Sequence, residues 1–443
     1  MLNRDKILKT FLESASSCEQ RIQEGIEQNR KGNFSIVIKD ENGKTCPNAN
    51  ISVTLKKHDF VFGANIFLLD ELDDKGRNET YKMAFSNVFN LAVAPFYWDA
   101  LEPNKGNVRF EKNAPKQYRR PAPDLVLEFC KAHDIKVKGH PLMWHLLTPS
   151  WLPSKAEDVK FAMGKRFREI SERYSEKIEQ WDVVNESLKS NLNSLEGSCR
   201  FGIPHDYTDY CFRLAEANFP GNKLLINEQT DYAWETGKKG RFSPYYLQIE
   251  GLLNRGRRID GIGMQYHLMS GNEKDFTNQA NAYLNPKSML DALDYLGEFN
   301  RPIQISEISV STITEKKEDE ALQAEIVTYL YRLWFSHKNV EAIIWWNLAD
   351  GYAYSNGGGW DENVCRACLL RKDMSPKPSY FAIETLINKE WRTQENLTVD
   401  ENGEGSFRGF YGCYDIEIIT GSKKTVKCIE FPKNSLTKAV IQL

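Results

Sequence analysis

The segments WDVVNE, residues 181–186, and RPIQISE, residues 301–307, decide how this chain is interpreted. Each is a short apolar run with strand character that ends in a glutamate, Glu186 in the first and Glu307 in the second. If both runs are strands of one closed parallel barrel, both carboxylates lie at its C-terminal rim, where barrel enzymes hold their reactive groups. One such glutamate alone would more often cap a helix or form an ion pair. Two at the same rim indicate a catalytic site.

A glutamate pair at one rim is what cleavage of a glycosidic bond requires. One carboxyl group must be protonated to give its proton to the leaving oxygen, and the other must be ionised to attack the anomeric carbon. For a retaining mechanism we expect the carboxylates of Glu186 and Glu307 to lie about 5–5.5 Å apart. We expect the raised pKa at Glu186, because this group must start protonated beside an anionic Glu307.

The middle of the chain alternates short apolar segments with longer segments of helical character. Eight such β-then-α units predict a parallel sheet that closes into a (β/α)8 TIM barrel, which is an α/β fold. A length of 443 residues leaves room for appendages around such a barrel. The predicted strands lie near residues 60–66, 89–95, 135–142, 179–185, 222–227, 260–267, 302–306 and 341–347.

The two ends of the chain depart from this alternation. Residues 1–57 indicate an N-terminal helix and a pair of alternating strands, and residues 391–443 indicate short strands separated by turns. The C-terminal segment is smaller than most units that fold alone. We therefore predict a catalytic barrel over residues 58–390 and a small accessory β module built jointly from both ends.

Composition and charge narrow the range of partners. A formal net charge of −3 gives no reason to expect a nucleic-acid or membrane partner. The first thirty residues lack signal-peptide character, so we expect a cytoplasmic protein, or a secreted one if a leader precedes this chain. Nine cysteines without a framework spacing fit a reducing compartment. We interpret Cys365-Arg-Ala-Cys368 as two ordinary thiols, and we predict no metal site and no cofactor.

Further polar and aromatic strings follow the other predicted strands, among them GHPLMWH at 139–145, QYH at 265–267 and IIWWNLAD at 343–350. Together with WDVVNE and QISE, they resemble glycoside hydrolase family 10, the retaining endo-β-1,4-xylanase family. GHPLMWH is similar to that family's GHTLVWH, and WDALEP at 98–103 is similar to its WE-x-x-EP. The resemblance covers roughly residues 58–390 and implies a (β/α)8 barrel that hydrolyses a β-linked glycan.

The resemblance also implies a role for each residue of the predicted site. Glu186 matches the acid/base, Glu307 the nucleophile, and Asn185 the residue that hydrogen-bonds the sugar 2-hydroxyl. His267 is expected to hydrogen-bond the nucleophile and keep it ionised, with Gln265 in the same network. The walls of the sugar site are expected from His140, Trp144 and Trp346, with Tyr97 and Tyr354 at further substrate-binding positions.

The chain departs from the family pattern on one side of the expected cleft. Where the family has a Glu and an Asn that hold the next sugar and a Lys that contacts the reactive sugar, this chain has Val93, Ala94 and Tyr97. Sugar hydroxyls buried beside apolar groups lose their partners. We therefore expect weak activity on unsubstituted xylan and an open or apolar wall formed by Phe96 and Tyr97. Alternatively, the insert at 104–123 rebuilds the grip.

Arg119 and Arg120 lie in that insert. Such a pair can favour an acidic sugar, but a solvated pair of loop arginines is the simpler interpretation.

The sequence thus predicts a retaining β-glycoside hydrolase, an endo-1,4-β-xylanase that cleaves xylan by double displacement, with a polysaccharide or oligosaccharide as its partner. One alternative is a related β-glycosidase that acts on another plant glycan or on short oligosaccharides. A second alternative, of a different class, is a non-catalytic carbohydrate-binding barrel. The sequence leaves the true glycan, endo or exo action and the oligomeric state open.

Overall fold

Two helices and two strands precede the barrel. The computed structural model describes residues 2–190, 207–355, 361–421, 423–433, 435 and 437–443. The first elements are α1 (Arg4–Ile7), α2 (Lys9–Arg30), β1 (Lys31–Lys39) and β2 (Asn50–His58). Ile22 of α2 is fully buried, and the guanidinium of Arg30 donates hydrogen bonds of 2.5 and 2.8 Å to the carbonyl oxygens of His337 and Val340. These contacts attach the N-terminal helix to the barrel.

A closed barrel of eight parallel strands forms the centre of the molecule. Each strand pairs with the next along the chain, and the last pairs with the first. The (β/α)8 fold predicted from the sequence is confirmed. The strands are β3 (Val61–Asn65), β4 (Leu91–Pro95), β5 (Lys136–His140), β6 (Gln180–Asn185), β7 (Lys223–Glu228), β8 (Gly261–Leu268), β9 (Ile303–Val310) and β10 (Val340–Trp345).

Helices follow the barrel strands and pack around them. Several begin at clear capping signals: the side chain of Asp74 accepts a hydrogen bond from the backbone of Arg77, and Ser243 stands directly before Pro244 and caps the next helix. Among the described residues, no helix has an apolar stretch long enough to cross a membrane. The helices are α3 (Lys75–Val88), α4 (Trp98–Leu101), α5 (Pro123–Ala132), α6 (Ala156–Tyr174), α7 (Ser187–Ser190), α8 (Tyr207–Asn218), α9 (Thr230–Trp234), α10 (Thr236–Lys239), α11 (Pro244–Asn254), α12 (Glu273–Tyr283), α13 (Pro286–Gly297), α14 (Lys317–Ser336) and α15 (Pro378–Thr385).

The register between neighbouring strands brings the polar ends of β6 to β9 together. Asn185 of β6 is paired with Asn227 of β7, and Gln265 of β8 is paired with Glu307 of β9. Glu186 follows β6 directly. Strand β9 continues past Glu307 to Val310, whereas the sequence predicted its end near residue 306. Both glutamates therefore stand at the same rim.

The C-terminal strands combine with β1 and β2 in two small sheets. Strand β1 lies between β12 and β15, and β2 lies between β11 and β13. Phe34 of β1 stacks on Phe431 of β14 with ring centroids 4.4 Å apart, so the sheets share an aromatic core. The predicted β module formed by both ends is confirmed, while the exact domain boundaries stay a prediction. The strands are β11 (Gln394–Thr398), β12 (Glu404–Phe410), β13 (Gly412–Thr420), β14 (Lys423–Phe431) and β15 (Lys438–Gln442).

Candidate active site

A cleft of about 560 Å³ opens at the C-terminal rim of the barrel. The structure brings nearly all of the predicted site residues to this cleft. His140 is the exception, because it is buried beside Glu307, with its Nε2 3.9 Å from Glu307 Oε1. The predicted residues that line the cleft are Tyr97, Trp144, Asn185, Glu186, Gln265, His267, Glu307, Trp346 and Tyr354.

The two glutamates share one hydrogen-bond donor. The Nε2 of Gln265 lies 3.2 Å from Glu186 Oε1 and 3.1 Å from Glu307 Oε1. Those two oxygens cannot be farther apart than the sum of these distances. This limit applies to one oxygen of each carboxyl group, and the separation of about 5–5.5 Å between the two groups stays a prediction. The two carboxyl groups therefore lie side by side, joined by one amide donor.

Glu186 has an unusual backbone conformation. Its φ of 53° lies in the left-handed region, which costs energy for a residue with a side chain. The amide of Glu186 donates a 2.9 Å hydrogen bond to the carbonyl of Asn227, which holds the turn between β6 and α7. The side chain is half-buried at the cleft. Backbone strain of this kind is concentrated at functional sites.

Glu307 is enclosed by hydrogen-bond donors. Asn227 Nδ2 donates to its Oε1 at 2.9 Å, and His267 Nε2 lies 3.4 Å from its Oε2. The Nδ1 of His267 lies 3.0 Å from Ser309 Oγ, so a Ser309 hydroxyl that donates to Nδ1 leaves the ring proton on Nε2, facing Glu307. Asn227 also donates a 2.7 Å hydrogen bond to Asn185 Oδ1, which joins all five side chains in one network.

The acidity of Glu307 differs from the prediction. Burial raises the pKa of Glu307 to about 8, and the charges of Glu186 and Asp182 add to this effect against the opposing influence of His140 and Asn227. This direction is opposite to the expectation that Glu307 ionises readily, and the expected raised pKa of Glu186 stays a prediction. The physical reason is enclosure: Glu307 is buried within strand β9, whereas Glu186 is only half-buried beyond the end of β6.

A buried cluster of charged and polar groups lies beside Glu307. Asp182 Oδ2 lies 2.8 Å from His140 Nδ1, and its Oδ1 lies 2.8 Å from the ammonium of Lys138. Burial by itself would raise the pKa of Asp182, but Lys138 and His140 together lower it. The contact with Asp182 holds the His140 ring through Nδ1 and so turns its Nε2 toward Glu307.

Residues 54–386 match the sequence model described as glycosyl hydrolase family 10, which is more than half of the chain. The chain belongs to glycosyl hydrolase family 10.

Individual relatives of this family 10 chain are distant. It is 27% identical over 408 residues to anti-sigma-I factor RsgI6 of Acetivibrio thermocellus, which covers 90% of this chain and 46% of that protein. It is 26% identical over 344 residues to endo-1,4-beta-xylanase B of Thermotoga neapolitana, and this match covers 75% of this chain and 88% of that protein. Native xylanase 10B from Thermotoga maritima shares the fold, with a TM-score of 0.59, 23% identity, and 75% and 96% of the two chains covered. The chain spans less than half the length of several curated relatives that it matches.

The side of the cleft where the chain departs from the family pattern is aromatic. The ring of Tyr97 lies 5.5 Å from that of His140 and 5.8 Å from that of Trp144, centroid to centroid. Phe67, which sequence reasoning did not single out, meets the rings of both Tyr97 and Trp346. Tyr97 thus forms part of the wall, as predicted.

Phe96 does not line this wall, contrary to the prediction. It is fully buried and packs against Tyr174 and Trp181. Successive residues of a strand point to opposite faces. Val93 therefore packs with Tyr97 in the group of side chains beside the cleft, while Ala94 packs with Phe96 in the main core.

Arg119 and Arg120 also line the cleft, so their interpretation as solvated loop arginines is wrong. Arg119 is only 3% exposed, and the guanidinium carbon of Arg120 lies 4.0 Å from the centre of the Tyr97 ring. The insert that follows α4 thus folds back over the position where the family's polar grip is missing.

The site residues that sequence reasoning missed are Asn227, Asp182, Phe67, Asn347 and Glu362. Asp182 stands inside WDVVNE, and Asn227 is the last residue of the strand predicted at 222–227, so both positions carried a signal. Asn347 donates a 2.8 Å hydrogen bond to Glu362, which lines the cleft, but neither position has a local pattern that indicates this contact. Within the described part of the chain, no group of three or more His, Cys, Asp or Glu residues could hold a metal ion.

Proposed function

We propose that this chain is a retaining endo-1,4-β-xylanase that cleaves xylan or its oligosaccharides by double displacement. The observation that carries the proposal is the bridge of Gln265 Nε2 to Glu186 and Glu307, because it places the two carboxyl groups side by side in one cleft, as a retaining mechanism requires. Family membership and the xylanases among the relatives support the choice of substrate.

In the first step, Glu307 attacks the anomeric carbon while Glu186 donates its proton to the leaving oxygen, which gives a covalent glycosyl-enzyme and a free sugar end. In the second step, Glu186 takes a proton from water, the water oxygen bonds to the anomeric carbon, and Glu307 leaves as a carboxylate. The pair must therefore carry one proton, on Glu186, when the substrate reacts. The net result is hydrolysis with retained configuration.

The remaining network positions these groups. Asn227 and Gln265 donate to Glu307 and stabilise it as an anion, which opposes the effect of burial. Asn185 is held through its Oδ1 by Asn227 and Gln265, at 2.7 and 3.2 Å, so its Nδ2 protons are the donors it offers to a sugar hydroxyl. Such a bond strengthens as the oxocarbenium ion develops.

One observation favours a second candidate, a β-glycosidase for another glycan. Val93, Ala94 and Tyr97 provide no polar grip of the kind expected for an unsubstituted xylose next to the reactive one, and Arg120 covers the Tyr97 ring instead. A cleft with this wall favours a substrate whose sugar next to the reactive one carries a chemical group that unsubstituted xylose lacks.

The test compares wild-type protein, Glu307→Ala, Glu186→Ala and the surface control Glu325→Ala on an aryl β-xyloside with and without azide. Loss of Glu307 should abolish turnover, and azide should restore it as the α-glycosyl azide, because azide then attacks in place of the carboxylate. Loss of Glu186 should give the β-azide, because Glu307 still attacks first. The control should match wild type.

Two outcomes would overturn the proposal. If azide rescued Glu307→Ala with retained configuration, Glu307 would not be the nucleophile. If the wild-type protein hydrolysed none of a panel of β-linked oligosaccharides but bound some of them, the barrel would be a carbohydrate-binding module. Measured hydrolysis of other β-glycans with inactivity on xylo-oligosaccharides would select the second candidate.

A further inference from the structure

Two guanidinium groups lie in the cleft wall next to the predicted reactive sugar. Arg120 stacks on Tyr97 with its Cζ 4.0 Å from the ring centre, and both arginines contact the ring of Phe67, at 5.3 Å for Arg120 and 5.6 Å for Arg119. Tyr97 in turn touches His140, which is adjacent to Glu307. Tyr97 and His140 therefore separate Arg120 from Glu307, and Arg119 joins this wall through Phe67.

Neither arginine forms an ion pair with any carboxylate of the described residues, although both lie in a region largely shielded from water. Arg119 donates to Tyr352 O and Asn347 Oδ1, both at 2.7 Å, and its buried Nε has no hydrogen-bond partner within the described part of the chain. The guanidinium of Arg120 donates from Nη1 to the carbonyl oxygen of Arg119 at 2.9 Å. The remaining N–H groups of the Arg120 guanidinium are thus available to donate to a ligand.

The surrounding acidic groups compensate for this charge only in part. Glu362 lines the same cleft, but it accepts its hydrogen bonds from Asn347 and the amide of Tyr354, so Asn347 separates it from Arg119. The charge of Asp99 favours the protonated form of Arg120 from beyond ion-pair distance, and burial raises the pKa of Asp99. Two cations near one another in a partly dry wall are costly unless an anion joins them.

The backbone supports a built site. Arg119 has a φ of 60°, in the left-handed region that residues with side chains rarely occupy. Strain of this kind persists only where the surrounding structure imposes it, and it is concentrated at ligand sites. Here it accompanies the two hydrogen bonds that hold the Arg119 guanidinium beside the cleft.

We propose that Arg119 and Arg120 form a subsite for the carboxylate of a uronic acid carried by a β-linked glycan. A guanidinium fork matches a carboxylate with two parallel charge-assisted hydrogen bonds, which are stronger than bonds between neutral groups. The inference rests on the proposed glycosidase function and names the class of substrate that this wall selects. The carboxylate can come from a branch on a neutral backbone or from a backbone unit.

The test measures kcat/KM on three oligosaccharides of equal length: neutral xylotetraose, the same chain with a glucuronic acid branch, and a chain with a β-glucuronic acid unit in its backbone. Wild type should prefer one of the acidic substrates by about tenfold or more. Arg120→Gln should lose about that factor on the acidic substrate and change little on xylotetraose, and Arg120→Lys should restore part of it. Arg241→Gln, which removes an exposed charge outside the cleft, should behave as wild type.

Added salt should lower the wild-type preference and change the Arg120→Gln ratio less, because Arg119 is then the one cation of the subsite left to be screened. Equal rates of the wild type on all three substrates would overturn the subsite, as would an equal loss on neutral and acidic substrates in Arg120→Gln. If no oligosaccharide is hydrolysed, the proposed function fails instead. Calorimetric binding of the acidic oligosaccharides to wild type and Arg120→Gln then still decides the subsite.

Discussion

The two sides of the cleft are built differently. The reactive centre (Glu186, Asn227, Gln265 and Glu307) comes from the ends of four consecutive barrel strands, and hydrogen bonds join its side chains into one network. The arginine wall (Phe67, Tyr97, Arg119 and Arg120) consists of ring contacts and cations, and half of it comes from a loop insert.

This contrast indicates how chemistry and selectivity are divided in the molecule. Strand ends are held on both sides by neighbouring strands, so they can fix reacting atoms to within a fraction of an ångström. A loop can change sequence without disturbing the sheet. We therefore expect changes in the centre to lower the rate on every substrate, and changes in the wall to alter the ranking of substrates.

The largest effect in this series is expected for Asn227→Ala. This change removes a donor to Glu307 Oε1 and the bond that orients Asn185, so it acts on the nucleophile and on the 2-hydroxyl contact together. Loss of one preorganised donor typically costs about 10²–10³ in kcat. We expect a loss of about that size on aryl xylosides and oligosaccharides alike, with little change in KM. A loss confined to long substrates would show that Asn227 does not belong to the reactive centre.

A smaller and selective effect is expected for Tyr97→Ala. The ring supports Arg120 and touches His140 and Trp144, but no polar group of the reactive centre depends on it. Remote sugar contacts contribute to turnover by positioning the reactive ring. We expect kcat/KM to fall about tenfold on oligosaccharides and by less than about twofold on an aryl xyloside. Tyr97→Phe, which keeps the ring, is the matched control and should retain most of the activity.

The contrast between centre and wall also shows what the sequence could predict. Alternating β and α segments place eight strands and both glutamates at one rim, because that arrangement depends on local pattern and barrel geometry alone. Phe96 was assigned to the wrong face, since a strand turns each successive residue to the opposite side. Phe96 and Tyr97 directly follow β4, and extending its period of two by two residues would have separated them.

The arginine wall could not be predicted in the same way. The position of Arg119 is fixed by contacts with Asn347 and Tyr352, more than two hundred residues away, and no local periodicity encodes such a contact. The pKa of Glu307 was missed for a related reason: a sequence shows that a carboxyl group is present, but enclosure by the whole barrel determines how much water it loses.

The next prediction concerns stability and its dependence on pH. The folded pKa of Glu307 is about 8, above the ordinary value of 4.5, so the folded state holds a proton that the unfolded state releases. As pH rises from about 4.5 to about 8, the wild type should lose free energy of unfolding relative to Glu307→Gln, whose side chain does not ionise. No further loss is expected above pH 8. Glu307→Gln should therefore be more stable than wild type at neutral pH, by on the order of 2 kcal/mol, and equal to it near pH 4.

Denaturant titrations of both proteins at several pH values measure this difference. A gain in Glu307→Gln that is independent of pH would mean that packing, and not the buried charge, is responsible.

The smallest effect on turnover is expected for Phe431→Ala, which lies outside the cleft. Phe431 of β14 stacks on Phe34 of β1, so this contact links the C-terminal and N-terminal contributions to the accessory β module. Truncating a buried Phe typically costs about 3–5 kcal/mol. We expect faster amide hydrogen exchange in β1 as well as in β14, with kcat/KM of the folded protein unchanged. Val426→Ala, at an exposed position of the same strand, should leave exchange in β1 as it is. If Phe431→Ala accelerated hydrogen exchange in β14 alone, the two ends would not form one cooperative unit. If it lowered kcat/KM while the protein stayed fully folded, the reactive centre would depend on more than the barrel strands that carry it.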